Sequence, residues 1–248
     1  MEKFFNPGSV AVVGASRRRG GRQLLVNIRY GFRGPIYAVN PNYKEVNGIP
    51  CFSSLEEIPG TVDLAVIFVP AGMVPAVLEE CARKGIYRVM IESAGFAETG
   101  DEGRKIQERC AAIAREKGIR IWGPNCMGLV DVPRKLFFTF MSSRIYRDAL
   151  IPGRVSLIVQ SGMLSAAFLA DLMASRGVGI GKVCSIGNKA DLDECDLMNY
   201  LLEDPGTEAV ALYLESMRRG RFFAKIASRS RKPIVLLEGG KSEAGSRA

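Results

Sequence analysis

The residues best suited to hold an anion stand at the ends of short apolar runs. Ser9-Val-Ala-Val-Val-Gly14 is followed by Ala15 and Ser16, then by Arg17, Arg18, Arg19, Gly20 and Gly21. A tight glycine turn at the carboxyl end of a first strand presents backbone N–H groups and a helix N-terminus, and both favour negative charge. The dinucleotide fingerprint G-x-G-x-x-G is not met, because Ser16 stands where its second glycine should be. The acidic residue that would hold a ribose hydroxyl is also missing: the second run ends in Asn40-Pro41-Asn42-Tyr43-Lys44. Cations in its place suit a ligand with a phosphate there, and both NADP and coenzyme A, whose adenosine carries an extra phosphate, fit that description. Two further runs end in Val69-Pro70-Ala71-Gly72 and Glu92-Ser93-Ala94-Gly95-Phe96, at the edge where open α/β sheets bind ligands. With Gly14 and Lys44 they outline one crevice.

A second set lies further along. Gln160-Ser161-Gly162 falls between a strand and a helix pattern starting near Met163, so its N–H groups and hydroxyl face an anion too. Glu215 closes an apolar strand, and by position alone it is a solvent-facing terminus. None of the 248 residues is a histidine. A Ser-His-Asp triad, a His-ligated zinc, a His general base and a phosphohistidine are excluded within them, and no metal-ligand pattern is read.

The elements that must position these residues follow from periodicity. Near-continuous apolar strands are expected at Ser9–Gly14, Ile36–Val39, Leu64–Val69, Arg88–Ile91 and Ile119–Ile121. Helix patterns lie between them, one through Val77, Leu78, Cys81 and Ala82 ended by Gly85, another through Ile106, Cys110, Ile113 and Ala114 ended by Gly118. Such alternation implies a parallel sheet covered on both faces, a Rossmann-like doubly wound domain over residues 1–130. From Val130 to Pro152 the pattern breaks at Pro133, the aromatic cluster Phe137, Phe138 and Phe140, and Arg144 and Arg147; residues 131–152 read as a linker. A second alternation over 153–248 has strands at Val155–Val159, Gly181–Ile186, Ala209–Leu214 and Pro233–Leu237. Its helices run through Leu164, Phe168 and Leu172 to Gly177, through Leu197, Tyr200 and Leu201, and through Phe222, Phe223 and Ile226. The last strand leads into Glu238-Gly-Gly-Lys-Ser-Glu-Ala-Gly-Ser-Arg-Ala248, a loop that should open a helix, and none follows.

Composition agrees with a globular chain. Lys plus Arg is 34, Asp plus Glu is 26 and the formal charge is +8, with 47% apolar residues. The six cysteines never form a CxxC spacing and read as reduced thiols. Leu64 to Leu78 is too short for a membrane span and is broken by Pro70, Gly72 and Pro75, and MEKFFNPGS lacks a signal-peptide pattern. A cytoplasmic, soluble protein is expected. The basic charge has no aromatic-interleaved stripe or nucleic-acid module beside it, and attraction of polyanionic CoA and nucleotides explains its sign as well.

The fifth strand runs into Trp122-Gly-Pro-Asn-Cys-Met-Gly128, and here a resemblance becomes specific. Val12-Val-Gly-Ala-Ser16, Val39-Asn-Pro41, Phe68-Val-Pro70 and Gly123-Pro-Asn-Cys-Met-Gly128 stand in the order found in the CoA-binding domain of the succinyl-CoA synthetase superfamily. Val159-Gln-Ser-Gly162, Gly187-Asn-Lys-Ala-Asp-Leu-Asp193, Tyr213-Leu-Glu215 and Lys232-Pro-Ile-Val narrow it. The chain resembles the NDP-forming acyl-CoA synthetases over essentially its whole length. The resemblance implies a flavodoxin-like second domain. It also implies a reaction in which an acid, CoA and ATP are interconverted with acyl-CoA, ADP and phosphate through an acyl phosphate and a phosphohistidine.

By that resemblance CoA lies along Gly14, Ala15, Ser16, Arg17, Arg18, Asn40, Pro41 and Lys44, with its pantetheine passing Val69, Pro70, Ala71, Ala94 and Gly95 toward Asn125 and Cys126. Gln160, Ser161 and Gly162 become the phosphoryl cradle, and Glu215 the catalytic carboxylate that orients the histidine. The family's histidine follows soon after a segment like Gly239 to Ala248, where this sequence stops, and the ATP-grasp part is not among its residues. ATP or ADP with magnesium, and an ATP-grasp domain or beta subunit as partner, are therefore expected only through further chain. The 248 residues alone should bind CoA without making acyl-CoA. A small carboxylic acid is the expected co-substrate, and a homo-oligomer is compatible. Two other readings stay open: a CoA-binding regulatory part of a fused protein acetyltransferase, and an NADP-dependent oxidoreductase.

Overall fold

The computed structural model describes residues 1–142, 150–162 and 177–239, apart from the Arg19 side chain. The expected helix through Leu164, Phe168 and Leu172, Arg144 and Arg147 of the expected linker, and Gly240 to Ala248 lie outside the described residues.

The first sheet contains β1 (Val10–Val13), β2 (Ile36–Val39), β3 (Glu45–Val46), β4 (Ile49–Phe52), β5 (Leu64–Ile67), β6 (Arg88–Ile91) and β7 (Arg120–Trp122), in the order β3-β4-β2-β1-β5-β6-β7. All pairings but β3–β4 are parallel. Val10 to Val13 face Leu64 to Ile67 in register, as the doubly wound expectation requires. Chain order reverses between β2 and β5 on either side of β1, which is the switch point where such sheets bind ligands.

Alternation along each strand sorts side chains onto two faces. Ala11, Val13, Ala65, Ile67, Val89 and Ile91 pack against helices α3 (Val74–Lys84) and α4 (Asp101–Lys117). Both helices stop at a glycine with positive φ, Gly85 at 78° and Gly118 at 71°, as their sequence patterns anticipate. Val10, Val12, Val66 and Met90 face α2 (Arg19–Gly31) through Leu24, Leu25 and Ile28. The short N-terminal helix α1 (Glu2–Phe5) adds Phe4 and Phe5 to that face.

The second sheet contains β8 (Gly128–Asp131), β9 (Leu136–Phe138), β10 (Pro152–Val159), β11 (Ile180–Ser185), β12 (Ala209–Leu214) and β13 (Ile234–Glu238), in the order β13-β12-β10-β11-β8-β9. β11, β10, β12 and β13 are parallel, and β8 and β9 add antiparallel strands beyond β11. Among the described residues its helices are α5 (Glu194–Glu203) and α6 (Gly220–Arg229).

The segment that reads as a linker therefore differs from expectation: it supplies β9 and the last residue of β8, a strand that begins inside the expected first domain and joins the second sheet. The broken pattern has a packing cause. Leu136, Phe137 and Phe138 are buried on both faces, so no alternation shows. Phe138 meets Phe32 edge-on, and Phe137 lies near Tyr30, both from the α2 side. Gly31 permits this approach, since a Cβ there would stand 1.9 Å from the Lys135 carbonyl oxygen. The pair β3 and β4 also escapes periodicity, β3 being two residues long and β4, Ile49-Pro-Cys-Phe52, carrying a proline and no continuous buried run.

The two sheets share a core. Trp122 is buried at the end of β7, between the rings of Phe4 and Phe5, and donates its indole N–H to the Ser185 carbonyl at 2.7 Å. Phe5 stacks on Tyr200 of α5 at 4.0 Å. Backbone hydrogen bonds from Asn188 to Pro124, from Ala190 to Gly123 and from Leu192 to Ile121 run the 188–192 segment alongside the end of β7. Asp191 completes the seam by accepting from Arg120 Nε and Ile121 N, both at 2.8 Å. The motif Gly187 to Asp193 thus fastens one sheet to the other.

Candidate functional site

The seam leaves the carboxyl ends of strands from both sheets facing each other around a cavity of about 860 Å³. The first sheet contributes Phe68, Val69 and Pro70 after β5, Glu92, Ser93 and Ala94 after β6, and Asn125, Cys126 and Met127 after β7. The second contributes Gln160, Ser161 and Gly162 after β10, Gly187 and Asn188 after β11, and Glu215 after β12. Phe140 and Met141 close one side. Nine of the sequence-derived candidates meet here: Val69, Pro70, Ala94, Asn125, Cys126, Gln160, Ser161, Gly162 and Glu215.

The remaining candidates, apart from Ala71 after β5 and Gly95 after β6, form a neighbouring group at the ends of β1 and β2. Gly14 has φ 88°, and a Cβ on it would lie 2.2 Å from the Phe68 carbonyl oxygen, so the turn tolerates only glycine. Gly21 lets α2 press onto that turn, where a Cβ would be 2.5 Å from Gly14 O. Arg18, the N-cap of α2, gives no side-chain cap, so the first-turn N–H groups and the dipole's positive end remain for an anion. Asn40 donates to Ala15 O at 2.8 Å and accepts from Asn42 N at 3.0 Å, tying the β2 end to the β1 turn. Arg17 lies over the Tyr43 ring at 5.7 Å, and Pro41 and Lys44 are exposed. The side chains of Ala15 and Ala71 are in the core, so only their backbone can meet a ligand. Gly95 is near the cavity, but its N–H is already donated to Glu98 Oε1 at 2.6 Å.

The second-sheet side of the cavity is preorganised. Gln160 Oε1 accepts from the N–H groups of Glu215 and Ser216, and Gln160 Nε2 donates to Ser216 Oγ at 3.1 Å. The Gln160 side chain therefore positions the Glu215 loop, leaving the turn's backbone as its anion-facing element. Lys189 reaches the same loop from the core, donating to Ser216 O at 2.6 Å while paired with Glu194 at 3.0 Å. Both partners are almost wholly buried. Arg219 ties the loop's far end to Asp193 and Asp196. Burial works to raise the Asp193 carboxyl, but the hydrogen bonds and charge of Arg219, with the Cys195 and Asp196 N–H groups, hold it below its ordinary value. Asp193, Glu194 and Cys195 offer a cluster of possible metal ligands. Asp193 is already committed to capping α5 and to Arg219, and Glu194 to Lys189.

Several cavity residues were not singled out from sequence. Burial works to raise the Glu98 carboxyl, but hydrogen bonds from Asn188, Gly95 and Phe96 hold it below its ordinary value. Glu92 is 3% exposed, and its Oε2 accepts the Phe140 N–H at 3.0 Å. Burial pushes this carboxyl up to about 8. An acidic residue directly after an apolar strand was the available signal. Cys126 is no nucleophile: its thiol donates to Ile91 O at 3.3 Å, and burial, then the nearby Glu92, pushes its pKa far up. A second cavity, of about 940 Å³, adjoins the first through Glu98, Gln160, Asn188 and Glu215, and brings in Arg104 and Arg218. No helix among the described residues is long and apolar enough to cross a membrane.

Comparison with known proteins follows the same division. Residues 8–131 match the model of a CoA binding domain, and residues 152–248 match that of a succinyl-CoA ligase like flavodoxin domain. The chain is 42% identical to the alpha subunit of acetate–CoA ligase (ADP-forming) I of Pyrococcus furiosus, covering 100% of this chain and 54% of the relative. It is 41% identical to acetate–CoA ligase (ADP-forming) I of Archaeoglobus fulgidus, covering 100% of this chain and 36% of the relative. It superposes with TM-score 0.90 and 37% identity on the dinucleotide forming acetyl-coenzyme A synthetase 1 of Ca. Korarchaeum cryptofilum in complex with phosphate and ADP, over 99% of this chain and 53% of that one. The chain spans between about a third and about half of these relatives' lengths.

Proposed function

Because the chain belongs to the CoA binding domain family through its first half, we propose that it is the CoA-binding and phosphoryl-receiving part of an ADP-forming acyl-CoA synthetase. The observation that carries this reading is the convergence of the Val69–Pro70, Asn125–Cys126, Gln160–Gly162 and Glu215 turns on one cavity between two sheets. An acyl transfer between a thiol and a phosphoryl-activated acid needs its two substrates brought end to end, and a cleft between two ligand-binding sheet edges does that.

The residues fit CoA. The α2 N-terminus without a side-chain cap, the exposed Arg17 and Lys44, and the glycine turn at Gly14 offer N–H groups and cations to its phosphates. Val69, Pro70, Ala94 and Asn125 then line the route for the pantetheine arm into the cavity. CoA supplies the thiol that accepts the acyl group.

On the opposite wall the Ser161 and Gly162 backbone, at the end of β10, receives the phosphoryl group. Glu215 acts as the positioning carboxylate for an imidazole brought in by another part of the protein. A carboxylate hydrogen-bonded to one ring nitrogen fixes the tautomer and stabilises the cationic form. None of the 248 residues is a histidine, so these residues receive and orient the phosphoryl carrier without being it. An ATP-grasp domain or subunit supplies the nucleotide chemistry, with a small carboxylic acid as the second substrate. The similarity to an alpha subunit supports that division.

Calorimetric titration with CoA, dephospho-CoA, NAD and NADP tests the assignment. CoA should bind best and dephospho-CoA more weakly. Tight NADP binding without CoA binding would overturn it in favour of an oxidoreductase.

A further inference from the structure

The cavity has more polar wall than the proposed phosphoryl and thiol chemistry uses. Among the described residues, Glu92 Oε1 and Ser93 Oγ are buried side-chain atoms without a hydrogen-bond partner, and both residues line the cavity. Among the described residues no cation pairs with Glu92, and its carboxyl takes one hydrogen bond, from the Phe140 N–H on its other oxygen. Gly128 makes room for the carboxyl itself, since a Cβ there would lie 2.7 Å from Oε1. The surrounding wall is apolar, formed by Phe68, Met127, Phe140 and Met141, with the two rings 5.2 Å apart.

Orphaned buried polar atoms are costly, and native proteins keep them where a ligand or water satisfies them. Resting on the ligase reading above, we propose that Glu92 and Ser93 form the specificity subsite for the acid substrate, and that they select an acid carrying a hydroxyl remote from its carboxylate. A hydroxyl both donates and accepts, so it can satisfy the two orphaned groups at once. An ammonium group would need an ionised partner, whereas burial keeps the Glu92 carboxyl largely protonated near neutral pH. An unsubstituted acid of the same length would leave both groups unpaired. The apolar rings and methionines would hold the carbon chain between its two polar ends.

The test is an NMR-monitored titration of the 248-residue chain with matched pairs: β-hydroxypropionate against propionate, γ-hydroxybutyrate against butyrate, and δ-hydroxyvalerate against valerate. At least one hydroxylated member should bind more tightly than its partner by about tenfold or more. Glu92→Gln, which keeps a hydrogen-bonding group, should retain the preference. Glu92→Leu should abolish it, and Ser93→Ala should reduce it, which covers the case in which the leucine variant does not fold. Equal binding of every pair, or a preference that survives both Glu92→Leu and Ser93→Ala, overturns the subsite. A parallel CoA titration separates the two levels: CoA binding without hydroxyl preference removes the subsite and keeps the ligase reading. Hydroxyl preference without CoA binding keeps the subsite and removes that reading.

Discussion

Gln160 Oε1 accepts the backbone N–H of Glu215 at 2.9 Å, so a side chain in the β10 turn sets where the β12 turn carries its carboxylate. The same oxygen takes the Ser216 N–H at 3.1 Å. Two proposed parts of the site, the phosphoryl cradle and the positioning carboxylate, are thereby one rigid unit. Gln160→Leu removes both acceptor contacts at similar volume and should destabilise the fold by about 1–3 kcal/mol. Urea unfolding followed by the fluorescence of Trp122, the single tryptophan at the junction of the sheets, reads this directly. An unchanged midpoint would show that the loop is held by Lys189 and Arg219 without Gln160.

Stability should fall as pH rises from about 4.5 to about 8, with Glu92 as the source. Its folded pKa is raised to about 8 by burial, above its ordinary value of 4.5, so the folded state holds the extra proton across that window. Stability declines wherever the folded state binds more protons than the unfolded one, here by an amount on the order of a few kcal/mol across the window. Below the window both states are protonated and this contribution is constant. Urea midpoints for the wild type and Glu92→Gln as a function of pH check it, and the variant should lack this slope. Parallel profiles would remove Glu92 as the cause.

Much of the architecture was legible because parallel strands buried on both faces leave continuous apolar runs, such as Leu64 to Ile67. Glycine-ended helix patterns placed the ends of α3 and α4 to the residue. β8 and β9 were not legible, since Leu136, Phe137 and Phe138 are buried whichever way they point and β9 is only three residues long. At the site, turn residues were found because they follow strands. A sequence does not show that the Gln160 side chain holds the Glu215 loop, a contact between segments whose approach only the fold sets, or that the Gly95 N–H is donated to Glu98. Glu92 was placed at the crevice but given no role, since its significance lies in burial with one carboxyl oxygen lacking a partner.

Lys189 and Glu194 are a buried ion pair of the kind whose loss is asymmetric. Lys189→Met leaves the Glu194 carboxylate in the core without its partner, and the Ser216 carbonyl without its donor. It should cost about 3–5 kcal/mol. Adding Glu194→Leu should recover much of that, because the orphaned charge is then gone. Chemical denaturation of the single and double variants decides the matter. A double variant as unstable as the single would mean that the Ser216 contact, and with it the Glu215 loop, carries the stabilisation.

Lys44 stands exposed beyond the end of β2, where the acidic residue of an NAD site would be, and its role is best isolated by a cycle of two changes. If its ammonium meets the extra phosphate on the adenosine of CoA, Lys44→Ala should weaken CoA binding by about 1–3 kcal/mol through loss of a charge-assisted contact. Dephospho-CoA lacks that phosphate, so its affinity should hardly respond to the substitution. The gap between the two ligands, wide in the wild type, should close in the variant. The wild-type gap should also narrow with added salt, because an exposed cation is screened within a Debye length of about 10 Å at moderate ionic strength. If Lys44→Ala weakened both ligands equally, the lysine would instead serve the pyrophosphate. Arg17, held over Tyr43 at 5.7 Å, would then be the next cation to test against the adenosine phosphate.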